Sequence, residues 1–194
     1  KLALKHGVSI GAHPAYPDLM GFGRRSLACS LDEVEAMVIY QIGALYGFVK
    51  ANGALLEYVK PHGGLYNDMM KDVRIFRAVA TAVARFDKNL KLMVLSMVDT
   101  KPHEAIAQEL GLELIYEVFA DRAYDDNGLL VPRSQKGSVL HDVDAVIARL
   151  HLLQNEGVLE TMSGKRIALK ADTLCVHGDN EEAVTLVKTL RESM

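Results

Sequence analysis

The sequence contains no tryptophan, only two cysteines and no apolar run approaching the roughly 20 residues of a membrane-spanning helix. Cys29 and Cys175 are too few for a disulfide framework and lack the spacing of a thiolate metal site, which points to a reducing cytoplasm. Lys and Arg form no basic block and the net charge is −3, so the clustered cations that hold duplex nucleic acid are missing. There is no signal-peptide pattern, no fixed-period repeat and no low-complexity tract. An initiator methionine is absent too. Lys1–Gly7 reads as the last turns of a helix, with basic residues near its end and Gly7 as terminator, so an N-terminal portion is expected beyond this sequence. What is present is ordinary for a globular protein: 49% hydrophobic and 24% charged over 194 residues, enough for one domain with a sizeable core.

Helix and strand patterns alternate along the chain. Apolar runs start at Val8, Leu56, Leu92, Leu114 and Thr173, each short enough for a strand. Between them lie helical periodicities over 31–51, 73–86, 102–110 and 143–155, with a short helical turn over 65–70 and a closing helix over 181–191. Ser30 with Glu33 forms a capping box, and Gly111 and Gly157 mark helix ends. Ser163-Gly164 between two short apolar runs predicts a hairpin. Short, wholly apolar strands alternating with helices are the pattern of a parallel sheet buried on both faces. Five such strands plus one or two missing βα units approach a barrel of about seven; a doubly wound open sheet is the other architecture this pattern fits.

Parallel α/β folds place their ligands at the carboxyl ends of the strands. Four of the five strands end in titratable groups: His13; Lys60 with His62; Asp121 with Arg122; and His177 with Asp179. Each has an ordinary reading, as a hydrogen-bonded structural histidine or a local ion pair. Their recurrence at one topological edge points to a functional site. Gly21-Phe22-Gly23-Arg24-Arg25 offers flexible backbone and two guanidiniums suited to an anion, but lacks the ending of a P-loop. A solvated loop with surface arginines fits equally, and Arg133 has the same two readings. Asp18 reads as a turn or capping residue. Met69, Met70, Met93 and Met97 read as packing, and Cys175 as inert within its strand.

Six segments carry a resemblance to a known family: GAHPAYPDLMGFGRR (Gly11–Arg25), IYQIGAL (Ile39–Leu45), VKPHGGLYN (Val59–Asn67), EVFADRAY (Glu117–Tyr124), LVPRSQKGSV (Leu130–Val139) and DTLCVHGD (Asp172–Asp179). In these motifs, in order and over nearly its whole length, the chain resembles the LamB/YcsF family. Members of that family are longer at the N-terminus, where an Asp-rich first-strand motif and a further His-containing motif precede the helix ending here at Gly7. The resemblance implies one β/α-barrel domain over residues 1–194, of about seven strands and similar to the glycoside hydrolase/deacetylase type, incomplete at its N-terminus. It also implies the reaction of a 5-oxoprolinase, the ATP-dependent opening of 5-oxoproline to glutamate with release of ADP and phosphate, performed with two partner subunits.

Opening a stable lactam calls for an activated carbonyl, positive charge around a transferring phosphoryl group and a base for water. The residues expected to act on protons are His13, His62 and His177, with Asp121 or Asp172 as orienting carboxylates. Lys60, Arg24, Arg25, Arg122 and Arg133, with Tyr66 and Asn67, form the expected substrate- and nucleotide-binding set. Two other readings compete. In one, His13 and His62, joined by an Asp from outside this sequence, hold a divalent metal in an amide or carbohydrate deacetylase-like hydrolase. In the other, the chain is a non-catalytic, substrate-binding subunit.

Overall fold

The structure, a computed structural model, describes residues 1–140, 142–176, 184 and 187–189. In chain order the elements are α1 (Leu2–Lys5), β1 (Gly11–Ala12), α2 (Leu31–Ala51), β2 (Tyr58–Val59), α3 (Gly63–Lys71), α4 (Val73–Phe86) and β3 (Lys91–Leu95). There follow α5 (Lys101–Leu110), β4 (Leu114–Phe119), α6 (Val143–Glu156), β5 (Val158–Glu160), β6 (Arg166–Ala168) and β7 (Thr173–Cys175). Five strands form one sheet in the order β1-β2-β3-β4-β7, with β1–β2, β2–β3 and β4–β7 paired in parallel. This is the α/β class expected, and the five strands are those the apolar runs marked. Among the described residues the sheet has five strands, where the resemblance implied about seven. β5 and β6 make the predicted antiparallel hairpin, turning at Gly164 with φ 86°. The closing helix expected over 181–191 lies mostly outside the described residues.

Two strands are shorter than their apolar runs. Val8 is 59% exposed and Leu56 half-buried, and ladder bonding begins only where the Glu57 N–H donates to the Ile10 carbonyl at 2.9 Å. An apolar run marks where burial is available, whereas a strand also needs a partner for its backbone groups. α3 departs in the other direction. It begins two residues earlier than the pattern predicts, on the glycine pair itself.

The chain divides into two compact units, residues 1–94 with 100–115 and residues 95–99 with 116–194. In the first, α2 packs against α4, burying Val34, Val38 and Ile42 from one helix and Phe76, Val79 and Val83 from the other. Each such side chain contributes about 1.5–3 kcal/mol by leaving water. Ser30 accepts the Glu33 N–H while the Glu33 carboxylate takes the Ser30 N–H at 2.7 Å, closing the capping box that starts α2. In the second unit the core gathers Val118, Tyr124, Val146, Leu150 and Leu159. The Tyr124 hydroxyl accepts the Phe119 N–H at 2.7 Å, and the Arg149 guanidinium lies 5.3 Å above its ring. The turn over 125–129 is built by Asp125, which accepts the N–H groups of Asn127 and Leu129.

Candidate functional site

In the first unit the β1–β2 ladder continues past both strand ends. Lys60 N–H donates to the Ala12 carbonyl and His62 N–H to the Pro14 carbonyl, both at 2.8 Å. This carries His13 and His62 forward side by side. Their rings meet edge to face with centroids 4.8 Å apart. His13 Nδ1 lies 2.5 Å from the Lys60 carbonyl oxygen, His62 Nε2 lies 2.9 Å from the Phe22 carbonyl oxygen, and His62 Nδ1 faces His13 Nε2 at 3.0 Å.

Those distances determine the tautomers. A carbonyl oxygen only accepts, so His13 Nδ1 and His62 Nε2 must each carry a proton. In two neutral imidazoles the nitrogens left facing each other would both be lone pairs. A hydrogen bond at 3.0 Å requires a third proton between them. With that proton the pair would be one imidazole and one imidazolium, a single positive charge shared across two rings. Among the described residues no group of three His, Cys, Asp or Glu side chains converges, so a metal held by His13 and His62 would take its further ligands from elsewhere.

The loop that delivers the Phe22 carbonyl is held from several sides. Buried Asp18 accepts the Gly21 N–H at 2.9 Å and grips Arg25 through both guanidinium edges, Nε at 2.8 Å and Nη2 closer still. The Arg25 hydrogen bonds and the Gly21 N–H hold the Asp18 carboxyl at about 2, well below its ordinary value. Asp68 on α3 accepts from Ser26 at 2.8 Å and from the buried Tyr16 hydroxyl at 3.1 Å. Burial and the Asp68 carboxylate push the Tyr16 hydroxyl up, so it stays a proton donor. Phe22 itself has φ 55°, a left-handed conformation that costs a bulky residue roughly 1 kcal/mol. Such strain is retained where the surroundings demand it.

The glycine pair after His62 is explained by the same loop. A Cβ on Gly63 would stand 2.5 Å from the Gly23 carbonyl oxygen, and one on Gly64 would stand 2.6 Å from that of Arg25. The Gly64 N–H donates to the Gly23 carbonyl at 2.8 Å, so loop backbone meets the start of α3.

The other predicted residues separate by environment. Half-buried Lys60 follows β2 and gives its carbonyl to His13. Arg24 is exposed and lies 5.2 Å over the Phe22 ring, whose edge meets His62. Arg25 is engaged by Asp18. On α3, Tyr66 is buried in the core and Asn67 half-buried. Cys29 has no activated thiol, because burial and the nearby Glu33 charge push its pKa up.

In the second unit Asp121 follows β4, and its charge favours the protonated Arg149, whose own pKa burial lowers. Arg122 is buried, donating Nε to the Ser138 carbonyl at 3.1 Å and Nη2 to the Val131 carbonyl at 2.7 Å, so it laces the loop over 122–139. Arg133 is exposed on that loop. Asp172 stands at the opening end of β7, its carboxylate accepting the Tyr116 N–H at 2.8 Å. Tyr116 lies within β4 and Asp121 two residues past its end, five residues on and at most about 16 Å away. Asp172 and Asp121 therefore occupy opposite ends of that strand pair. His177 and Asp179 lie outside the described residues. Sequence reasoning passed over the Phe22 carbonyl, which no side-chain motif announces. It also passed over Glu117, 2% exposed in the middle of β4, although a glutamate inside an apolar strand was a legible signal.

The LamB/YcsF family profile matches residues 1–194. The chain is 51% identical over 192 residues to the A subunit of the 5-oxoprolinase of Chromohalobacter salexigens, covering 99% of this chain and 77% of that protein. It is 46% identical over 194 residues to the A subunit of the 5-oxoprolinase of Thermococcus sibiricus, covering 100% and 75%. The crystal structure of the lactam utilization protein from Thermus thermophilus superposes with a TM-score of 0.87 at 44% identity, covering 99% of this chain and 76% of that one. The chain belongs to the LamB/YcsF family.

Proposed function

We propose that this chain is the A subunit of an ATP-dependent 5-oxoprolinase, acting in the cytoplasm with partner subunits, and that it contributes the His13–His62 pair to ring opening. The names of its relatives support the substrate and the subunit role. The observation that carries the catalytic part is the 3.0 Å approach of His13 Nε2 to His62 Nδ1, which calls for a proton between them.

Hydrolysis of 5-oxoproline breaks a five-membered lactam. Transfer of the ATP γ-phosphoryl group to the lactam oxygen, with loss of the N–H proton, yields ADP and an O-phosphorylated imidate. Water adds to its carbon, the C–N bond breaks with a proton delivered to nitrogen, and an acyl phosphate remains. A second water releases phosphate and glutamate. Water addition needs a base and nitrogen departure needs an acid, and an imidazole–imidazolium pair supplies both within one hydrogen-bond length. Lys60 and Arg24 bring positive charge to the same unit for the phosphoryl oxygens.

The test is ATP-dependent glutamate release from 5-oxoproline by the complete complex. His13→Ala and His62→Ala are each expected to lower kcat by about 10²-fold or more, the usual size of a lost acid–base group. Wild-type rates in both would leave the chain a substrate-binding subunit. The metal-dependent reading requires ligands beyond these two histidines, and elemental analysis of the purified protein decides it. A stoichiometric divalent ion lost from His13→Ala would replace the shared proton in this scheme.

A further inference from the structure

We infer that Gln41 is a positioning residue for the His13–His62 pair. Its carboxamide pairs with the backbone of Ala15, three residues past the end of β1. In the extended segment after β1, the carbonyls of Ile10, Ala12 and Pro14 face β2 and accept N–H groups from Glu57, Lys60 and His62. Backbone groups of the alternate residues face the other way. On that side, among the described residues, β1 is the edge of the sheet. There Gln41 Oε1 accepts the Ala15 N–H at 2.9 Å while its Nε2 donates to the Ala15 carbonyl at 2.8 Å. One side chain thereby makes both bonds of a ladder pair. Ala15 is separated from His13 only by Pro14, whose ring fixes φ. The Pro14 carbonyl holds the His62 N–H, so fixing Ala15 restrains both histidines through one stiff peptide unit.

Gln41 is in turn rigidly based. Its neighbours Val38 and Ile42 on α2 are fully buried, and its Nε2 also reaches the Met37 carbonyl at 3.3 Å. It lies in the IYQIGAL motif, within a stretch from Ala36 to Val49 that carries no charged residue. A 3.0 Å hydrogen bond between two rings tolerates little displacement, so a change at Ala15 is felt as lost proton sharing.

The catalytic readout of this inference rests on the proposed 5-oxoprolinase function; the spectroscopic one does not. Gln41→Glu keeps the shape but, ionised, sets a carboxylate oxygen against the Ala15 carbonyl; protonated, it restores the lost donor. In the complete complex at pH about 8, Gln41→Glu is expected to lower kcat about tenfold or more with KM for 5-oxoproline unchanged. The deficit should shrink as pH falls toward about 5.5, where a partly buried carboxyl takes up its proton. Gln41→Leu should show the deficit at every pH. In ¹⁵N NMR of the full chain, the His13 and His62 ring signals should move in Gln41→Glu at pH about 8 and return on acidification. Unmoved ring signals, or a Gln41→Glu deficit independent of pH, would overturn the inference. Moved ring signals in a complex whose wild type opens no 5-oxoproline would sustain the positioning role and remove the functional reading.

Discussion

Gly64 sits where no other residue fits without moving the loop, because its missing Cβ leaves room for the Arg25 carbonyl. Gly64→Ala is expected to cost about 1–3 kcal/mol, seen as a fall in Tm of about 2–4 °C per kcal/mol for a chain of this size. Glutamate release should fall further than folding does, since the displaced loop carries the Phe22 carbonyl away from His62. The Asp18–Arg25 pair gives a pH signature. The Asp18 carboxyl lies at about 2 when folded, below its ordinary 3.8, so its contribution to stability is complete above the ordinary value and is lost as pH falls toward 2. Thermal melts from about pH 6 to about pH 2 should find Asp18→Asn less stable than wild type at the neutral end, with the gap closing at the acid end. A constant gap would mean that the carboxylate charge is not what holds the loop.

At the scale of elements, α2 does two jobs: one face closes the core against α4 and another carries Gln41 to the Ala15 backbone beyond β1. Its start depends on Ser30, whose hydroxyl accepts the Glu33 N–H. Ser30→Ala is expected to cost about 1 kcal/mol, measured as a shift in denaturant midpoint with unchanged m-value. The loop over 122–139 depends on one buried side chain. Arg122→Ala removes both guanidinium bonds to the Ser138 and Val131 carbonyls and leaves those acceptors to be resolvated. Limited proteolysis of this variant should cut within 132–137, the exposed stretch, faster than in wild type. Equal cutting rates would show that the backbone bonds of the loop suffice.

For the molecule as a whole, no helix among the described residues is long and apolar enough to cross a membrane. Alternation of apolar runs with helical periodicity determined the α/β class, the five sheet strands and most helix boundaries, because burial and capping leave local marks in a sequence. The same runs overstated β1 and β2, whose first residues have no ladder partner. Strand ends pointed to His13, Lys60 and His62 for a physical reason that holds in any parallel sheet. They could not rank Arg122, Asp121 and Asp172, because a guanidinium that grips two carbonyls and one that awaits a ligand read alike in one dimension. Only tertiary structure placed Asp172 at the far end of its strand, set Asp18 against Arg25, and brought the Lys60 and Phe22 carbonyls onto opposite ends of two facing imidazoles. The proposed shared proton rests on those two backbone acceptors. A sequence records that each peptide has a carbonyl, but only the folded chain decides which nitrogen that carbonyl will meet.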